Sequence, residues 1–126
     1  MHMLMLVCAG GAIGAGARHM INLWFIARGL AGFPWATFAI NVTGSLLMGL
    51  AIGLIAARAN PSPELRAFLA TGILGGYTTF SAFSLDVWQL LERNQLTAAC
   101  GYVLGSVALS ILALTAGLAA AKWIMS

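Results

Sequence analysis

Neutral hydrogen-bond donors recur at helical spacing among otherwise apolar residues, and they are the groups in this chain that could handle an ion. Thr37, Asn41 and Ser45 fall four apart, which places them in one stripe on a helix of 3.6 residues per turn. Tyr102, Ser106 and Ser110 repeat the interval and line up three hydroxyls over two turns. An asparagine amide offers two N–H donors and each hydroxyl one O–H. Such stripes serve either as interhelical glue, worth about 0.6 to 2 kcal/mol per contact, or as a donor track for an anion. Between them runs Thr71-Gly72-Ile73-Leu74-Gly75-Gly76-Tyr77-Thr78-Thr79-Phe80-Ser81-Ala82-Phe83-Ser84, where paired glycines meet β-branched and hydroxyl residues. Both features weaken a helix, and together they predict a break near Gly75 to Thr79. The alternative is an unbroken helix whose Thr and Ser bond back to the preceding turn. Carbonyls freed by a break are tolerated inside a membrane only against protein or a water-filled cavity, where they often coordinate a cation.

Phe80 and Phe83 stand three apart and so share a helical face. By default such a pair faces lipid or fills a core. With Thr79, Ser81 and Ser84 around them, they border something polar, and the positive edge of a phenyl ring can meet a small anion that its negative face would repel. Charge is sparse: Arg18 lies deep in the first apolar stretch and Asp86 one turn beyond Phe83. No Asp or Glu occurs before Glu64, whereas a proton-coupled exporter of cations needs an intramembrane carboxylate to exchange protons for substrate. His2 and His19 have no carboxylate or nucleophile at a spacing that would support hydrolytic chemistry, so the chain does not read as an enzyme. Cys8 and Cys100 have no companion His or Cys at metal-ligand spacing.

The elements that must position these residues follow from composition. Of 126 residues 61% are hydrophobic and 7% charged, against about a quarter charged in soluble domains, which excludes an ordinary water-soluble domain. Net charge is +3, too thinly spread for the basic stripe that nucleic acid requires. Gly, Pro and charged residues cut the chain into four apolar stretches, about 3–27, 35–57, 64–92 and 96–124. Each reaches the roughly 20 residues that cross hydrocarbon as a helix. The expectation is an all-α, multi-pass integral membrane protein with residues 1–126 as one transmembrane domain and the third helix broken at its centre. The stretch from Met3 has no basic segment before it and continues to Ala27, so it reads as a span rather than a cleaved signal.

Glycine pairs four apart occur in every span, at Gly10 and Gly14, Gly49 and Gly53, Gly72 and Gly76, and Gly101 and Gly105, and they imply close helix packing. With four spans, Arg58, Arg66 and Lys122 share one side, while Arg28 and Arg93, with Arg18 if its end lies near that surface, take the other. The positive-inside rule orients a protein by the difference between the two sides, and here it is one or zero. Two readings stay open: a small bias that orients every copy alike, or insertion both ways, with opposed copies pairing about a two-fold axis in the membrane plane.

Gly10-Gly11-Ala12-Ile13-Gly14-Ala15-Gly16-Ala17-Arg18, Asn41-Val42-Thr43-Gly44-Ser45 and Gly75-Gly76-Tyr77-Thr78-Thr79-Phe80-Ser81-Ala82-Phe83-Ser84 together resemble the small bacterial fluoride channels called Fluc or CrcB proteins. The likeness covers the whole chain, and the last motif is the specific one. His19 stands where the family usually has Tyr, Ala82 where Thr is common, and Asp86 where Glu often is. The resemblance implies an antiparallel, dual-topology homodimer in the bacterial cytoplasmic membrane, with two pores that let fluoride leave the cytoplasm down its gradient. It further implies a structural Na⁺ at the dimer centre on the backbone carbonyls of Gly75 and Thr78. Fluoride would meet Asn41, Thr79, Ser81, the edges of Phe80 and Phe83, and the track of Tyr102, Ser106 and Ser110, with Arg18 in the vestibule. The second reading is a small multidrug-resistance-type exporter, against which the missing early carboxylate argues.

Overall fold

Residues 1–126 are described by a computed structural model that contains helices and connections only. In chain order these are α1 (His2–Ala27), α2 (Trp35–Ala56), α3 (Pro63–Arg66), a π-helical stretch (Ala67–Leu74), α4 (Gly75–Tyr77), α5 (Phe80–Glu92) and α6 (Leu96–Met125). The segment Pro63–Glu92 acts as one bent crossing, so four helical crossings are long and apolar enough to span a membrane. Only 19 of 126 residues are buried, while Met20, Leu104 and Trp123 are at least 70% exposed. An apolar surface of that kind belongs in lipid, where exposed side chains lose nothing by lacking water.

Local chemistry sets the ends. α1 and α5 close with the same turn: Gly29 and Asn94 hold φ of 70° and 57°, the left-handed conformation that Gly and Asn adopt most easily. The N–H of Leu30 then reaches the Phe25 carbonyl at 3.0 Å, and that of Gln95 the Leu90 carbonyl at 2.9 Å. Arg28 and Arg93 sit at these C-termini, where a cation complements the negative end of the helix dipole. Arg28 also stacks 3.8 Å above the Trp24 ring. At the opposite end, Ser62 caps α3 by accepting the Leu65 N–H at 3.2 Å, with Pro63 at the first helical position.

The helices pack as two pairs, α1 with the π-helical stretch and α4, and α2 with α6, while α5 leans on α6. Glycines bring the backbones together. A Cβ on Gly14 would overlap the Ile73 carbonyl, and one on Gly49 would overlap the Leu114 carbonyl. Gly10, Gly53, Gly72 and Gly76 are similarly filled by neighbours. The fourth span differs from expectation. Gly101 faces open space and Gly105 meets only the Phe38 ring at 3.7 Å. Gly117 takes the close contact instead, against Leu46 and Leu50 of α2.

The third span breaks at Thr78 and Thr79, whose ψ of 157° and 123° are extended. Gly75 and Gly76 themselves stay helical, so the break lies at the threonine end of the expected interval. Asn41 of α2 closes it. Its Nδ2 donates to the Thr79 carbonyl at 2.9 Å, and its Oδ1 accepts the Thr79 N–H at 2.8 Å. The side-chain amide thereby substitutes for a neighbouring peptide group, as in a β-ladder. Thr78 bonds back to the Leu74 carbonyl through Oγ1 at 2.9 Å, and the Thr79 hydroxyl caps α5 by accepting the Ala82 N–H at 3.2 Å.

Two consequences are measurable by thermal unfolding of the purified protein. Gly49→Ala forces α2 from the Leu114 carbonyl and should destabilise by about 1–3 kcal/mol, whereas Gly32→Ala, in open space, should change stability by less than about 0.5 kcal/mol. Asn41→Leu keeps bulk but strips both partners from Thr79. It should lose roughly 2–6 kcal/mol, the sum for two unsatisfied backbone groups. Wild-type stability in Asn41→Leu would show that the break does not depend on the amide.

Candidate functional site

The break opens a crevice of about 510 Å³ bounded by α2, the third span and α6. From α2 come Asn41, Gly44 and Ser45; from the third span Gly75, Thr78, Thr79, Phe80 and Phe83; from α6 Ser106 and Ser110. Met48, Val107 and Leu114 complete it with apolar surface, and no lining residue carries a charge. Gly44 is there because the Thr78 methyl and the Tyr77 ring occupy the space a side chain would need. Tyr77 is fixed in turn by its hydroxyl, 3.0 Å from the Thr43 Oγ1.

Within this wall one group stands out. The Ser106 side chain is 5% exposed, and its Oγ is buried without any hydrogen-bond partner. A buried hydroxyl left unpaired costs about 1–3 kcal/mol, and Ser106 is among the residues that line the crevice. Asn41 contributes less than its two donors suggested, since one N–H is committed to Thr79. The first turn of α5, at Thr79 and Phe80, borders the same space, and a helix N-terminus carries partial positive charge.

Phe80 and Phe83 lie with ring centroids 5.5 Å apart and planes tilted by 44°, but their surroundings differ sharply. Phe83 is 8% exposed and packs on Tyr102 with centroids 5.1 Å apart. Phe80 is 77% exposed, so a large part of its ring is left uncovered by the chain.

The structure therefore brings Asn41, Thr79, Phe80, Phe83, Ser106 and Ser110 to one crevice. Tyr102 lies outside that wall. It is 1% exposed, stacked among Phe33 and Phe83, and donates its hydroxyl to Asp86 Oδ2 at 2.9 Å. Helical spacing places it in line with Ser106, yet its long ring carries the hydroxyl to a carboxylate that the stripe alone did not connect with it. Ser81 is exposed, with its Oγ 3.5 Å from the Thr79 Oγ1 and outside the crevice lining. Arg18 is half-buried and its Nη1 lies 3.5 Å from the Thr78 carbonyl. The contribution of Met48 and Val107 was not foreseen; both fall outside the polar stripes, and only their helical offsets, seven residues from Asn41 and three from Ser110, could have signalled it.

No cluster of His, Cys, Asp or Glu could hold a metal. Oxygen donors are present in the backbone. In an unbroken helix the Thr79 N–H would go to the Gly75 carbonyl; here Asn41 takes it, which leaves the Gly75 oxygen available at an exposed residue. Neutral carbonyl oxygens suit a hard cation, and the free Gly75 oxygen fits Na⁺, whereas the Thr78 oxygen already accepts from the Arg18 guanidinium at 3.5 Å.

The family model described as CrcB-like protein, Camphor Resistance (CrcB), matches residues 5–118. A protein of Chelativorans sp. named Fluoride-specific ion channel FluC is 55% identical over 126 residues, covering 99% of this chain and 100% of its own. Its namesake in Rhizobium meliloti is 50% identical over 119 residues, covering 94% and 95%. Another in Rhodopseudomonas palustris is 55% identical over 117 residues, covering 91% and 93%. With four apolar crossings, a break held in mid-span and a family match along nearly its whole length, this multi-pass membrane protein belongs to the CrcB-like family.

Proposed function

We propose that this chain is a fluoride-selective channel of the bacterial cytoplasmic membrane that lowers cytoplasmic fluoride by passive efflux. The observation that carries this reading is Ser106, which lines an uncharged crevice and whose hydroxyl is buried without a partner. Fluoride is small and strongly hydrated, so a pore must replace its water shell with several close donors while holding it loosely enough to let it go. Hydroxyls, an amide, ring edges and the start of α5 meet that requirement, whereas a buried Lys or Arg would retain the ion. Relatives named as fluoride-specific ion channels support the same reading, and the exporter reading finds no support in them.

The working unit in this proposal is an antiparallel homodimer with two pores. Near-equal cation counts on the two sides support insertion both ways. Phe80, largely uncovered on one protomer, supports a second copy beside it. Na⁺ would then sit on the Gly75 and Thr78 carbonyls of both copies, taking up the Gly75 oxygen that the break releases and joining the protomers. Arg18, beside the Thr78 carbonyl, belongs to the approach to this region.

A fluoride-electrode measurement on reconstituted liposomes tests the function directly: fluoride should leave rapidly and chloride should not, and equal rates would sink the proposal. Ser106→Ala separates transport from packing. Deleting an unpaired buried hydroxyl leaves stability unchanged or raised, while removal of a donor to an anion, worth about 1.5–3 kcal/mol, should slow flux roughly ten- to hundred-fold. Phe80→Ile, at an exposed position, should likewise abolish flux with the protomer fold intact. Normal efflux in both variants would remove the crevice from the ion's path. Replacement of Na⁺ by a large organic cation throughout reconstitution should weaken dimer association as well as flux; unchanged association would dismiss the carbonyl site.

A further inference from the structure

A second crevice, of about 400 Å³, lies at the end of α2. Ile52, Ile55 and Ala56 of α2 line it, together with Pro61 and Pro63. Arg66 is the one charged residue among those that line it, and it is exposed. The space is more than tenfold the roughly 30 Å³ that a water molecule occupies in the liquid, yet its walls offer almost nothing for water to bond. The hydroxyl of Ser62, which also borders the crevice, is already committed. It accepts the Leu65 N–H at 3.2 Å and donates to the Glu64 carboxylate at 3.0 Å.

Position decides what such a cavity takes. α2 ends at Ala56 and α3 begins at Pro63, so the crevice sits where a membrane-spanning helix leaves hydrocarbon for the headgroup layer. Its apolar lining suits an acyl chain, and Arg66 supplies a guanidinium, a planar fork that pairs with phosphate oxygens in bidentate fashion. Arg58, exposed on the same connection, adds a second positive charge, and Glu64 is the only acid there. The excess charge favours a headgroup with net negative charge over a zwitterionic one.

We propose that this crevice binds one anionic phospholipid, with its phosphate on Arg66 and the upper part of an acyl chain against Ile52, Ile55 and Ala56. The inference does not rest on the fluoride reading, and it is read by binding rather than by flux. Full-length protein in neutral detergent is titrated with phosphatidylglycerol, with phosphatidylcholine of the same chains, and with inorganic phosphate, and thermal unfolding is followed. Phosphatidylglycerol should raise the midpoint at several-fold lower concentration than phosphatidylcholine. Arg66→Gln should weaken phosphatidylglycerol binding roughly five-fold, the loss expected for one cation near a lipid surface, and Ala56→Phe should weaken both lipids by filling the crevice. Lys122→Gln, which removes a cation of another helix end, should leave the preference intact. Equal binding of the two lipids, a full response to inorganic phosphate alone, or an undiminished preference in Arg66→Gln would each overturn the site. A response that scales with protein concentration would assign the crevice to a second copy and overturn it as well.

Discussion

A peptide group released from a helix in mid-membrane has no water to bond, and this protein depends on how it meets that constraint at Thr78 and Thr79. The side-chain amide of Asn41 serves both sides of Thr79 at 2.8–2.9 Å, and Thr79 in turn caps the helix that follows. The pairing fixes where α4 ends and where α5 starts. It therefore also fixes the direction in which Phe80 and Phe83 project, and the gap between them and α6. Without it the extended pair would carry the several kcal/mol penalty of unsatisfied backbone in hydrocarbon, and the third span would have every reason to remain one helix.

Close packing makes that arrangement durable. α2 is held to α6 at Gly49 and Gly117 and α1 to the π-helical stretch at Gly10 and Gly14, so Asn41 and Ser106 are presented from helices pinned at backbone level. The crevice between them is a consequence of two rigid pairs that separate where the third span bends. Its walls are neutral throughout, and the one carboxylate close by, Asp86, is engaged by Tyr102. A site in this position draws on dipoles and fixed donors rather than on net charge, which suits an ion that must leave as readily as it arrives.

Much of this was legible in the sequence because membranes simplify the code. Runs of apolar residues cut by Arg28-Gly29 and Asn60-Pro61 mark the crossings, and glycine beside threonine marks the break, since helix propensity is lowest there. The stripes through Asn41 and Ser106 were visible as helical intervals. What the stripes could not specify was the partner of each group. Tyr102 shares its interval with Ser106, but the reach of a phenol ring, not the interval, delivers its hydroxyl to Asp86. The π-helical stretch was equally invisible, because Ala67–Leu74 is apolar but for Thr71 and a segment with a single polar residue reads alike at 3.6 or more residues per turn. Gly117 escaped notice because no second glycine stands four residues away to form a pair.

The glycine contacts have a thermodynamic consequence beyond geometry. Association through side chains freezes rotamers, at up to about 2 kcal/mol for a long residue. Gly49 and Gly117 meet the Leu114 and Leu46 carbonyls with nothing but Cα hydrogens, so that entropy is not there to be lost. Cohesion between α2 and α6 then rests on dispersion and Cα–H···O contacts, which are enthalpic, and the pair holds its alignment by having few internal degrees of freedom rather than by strong individual bonds.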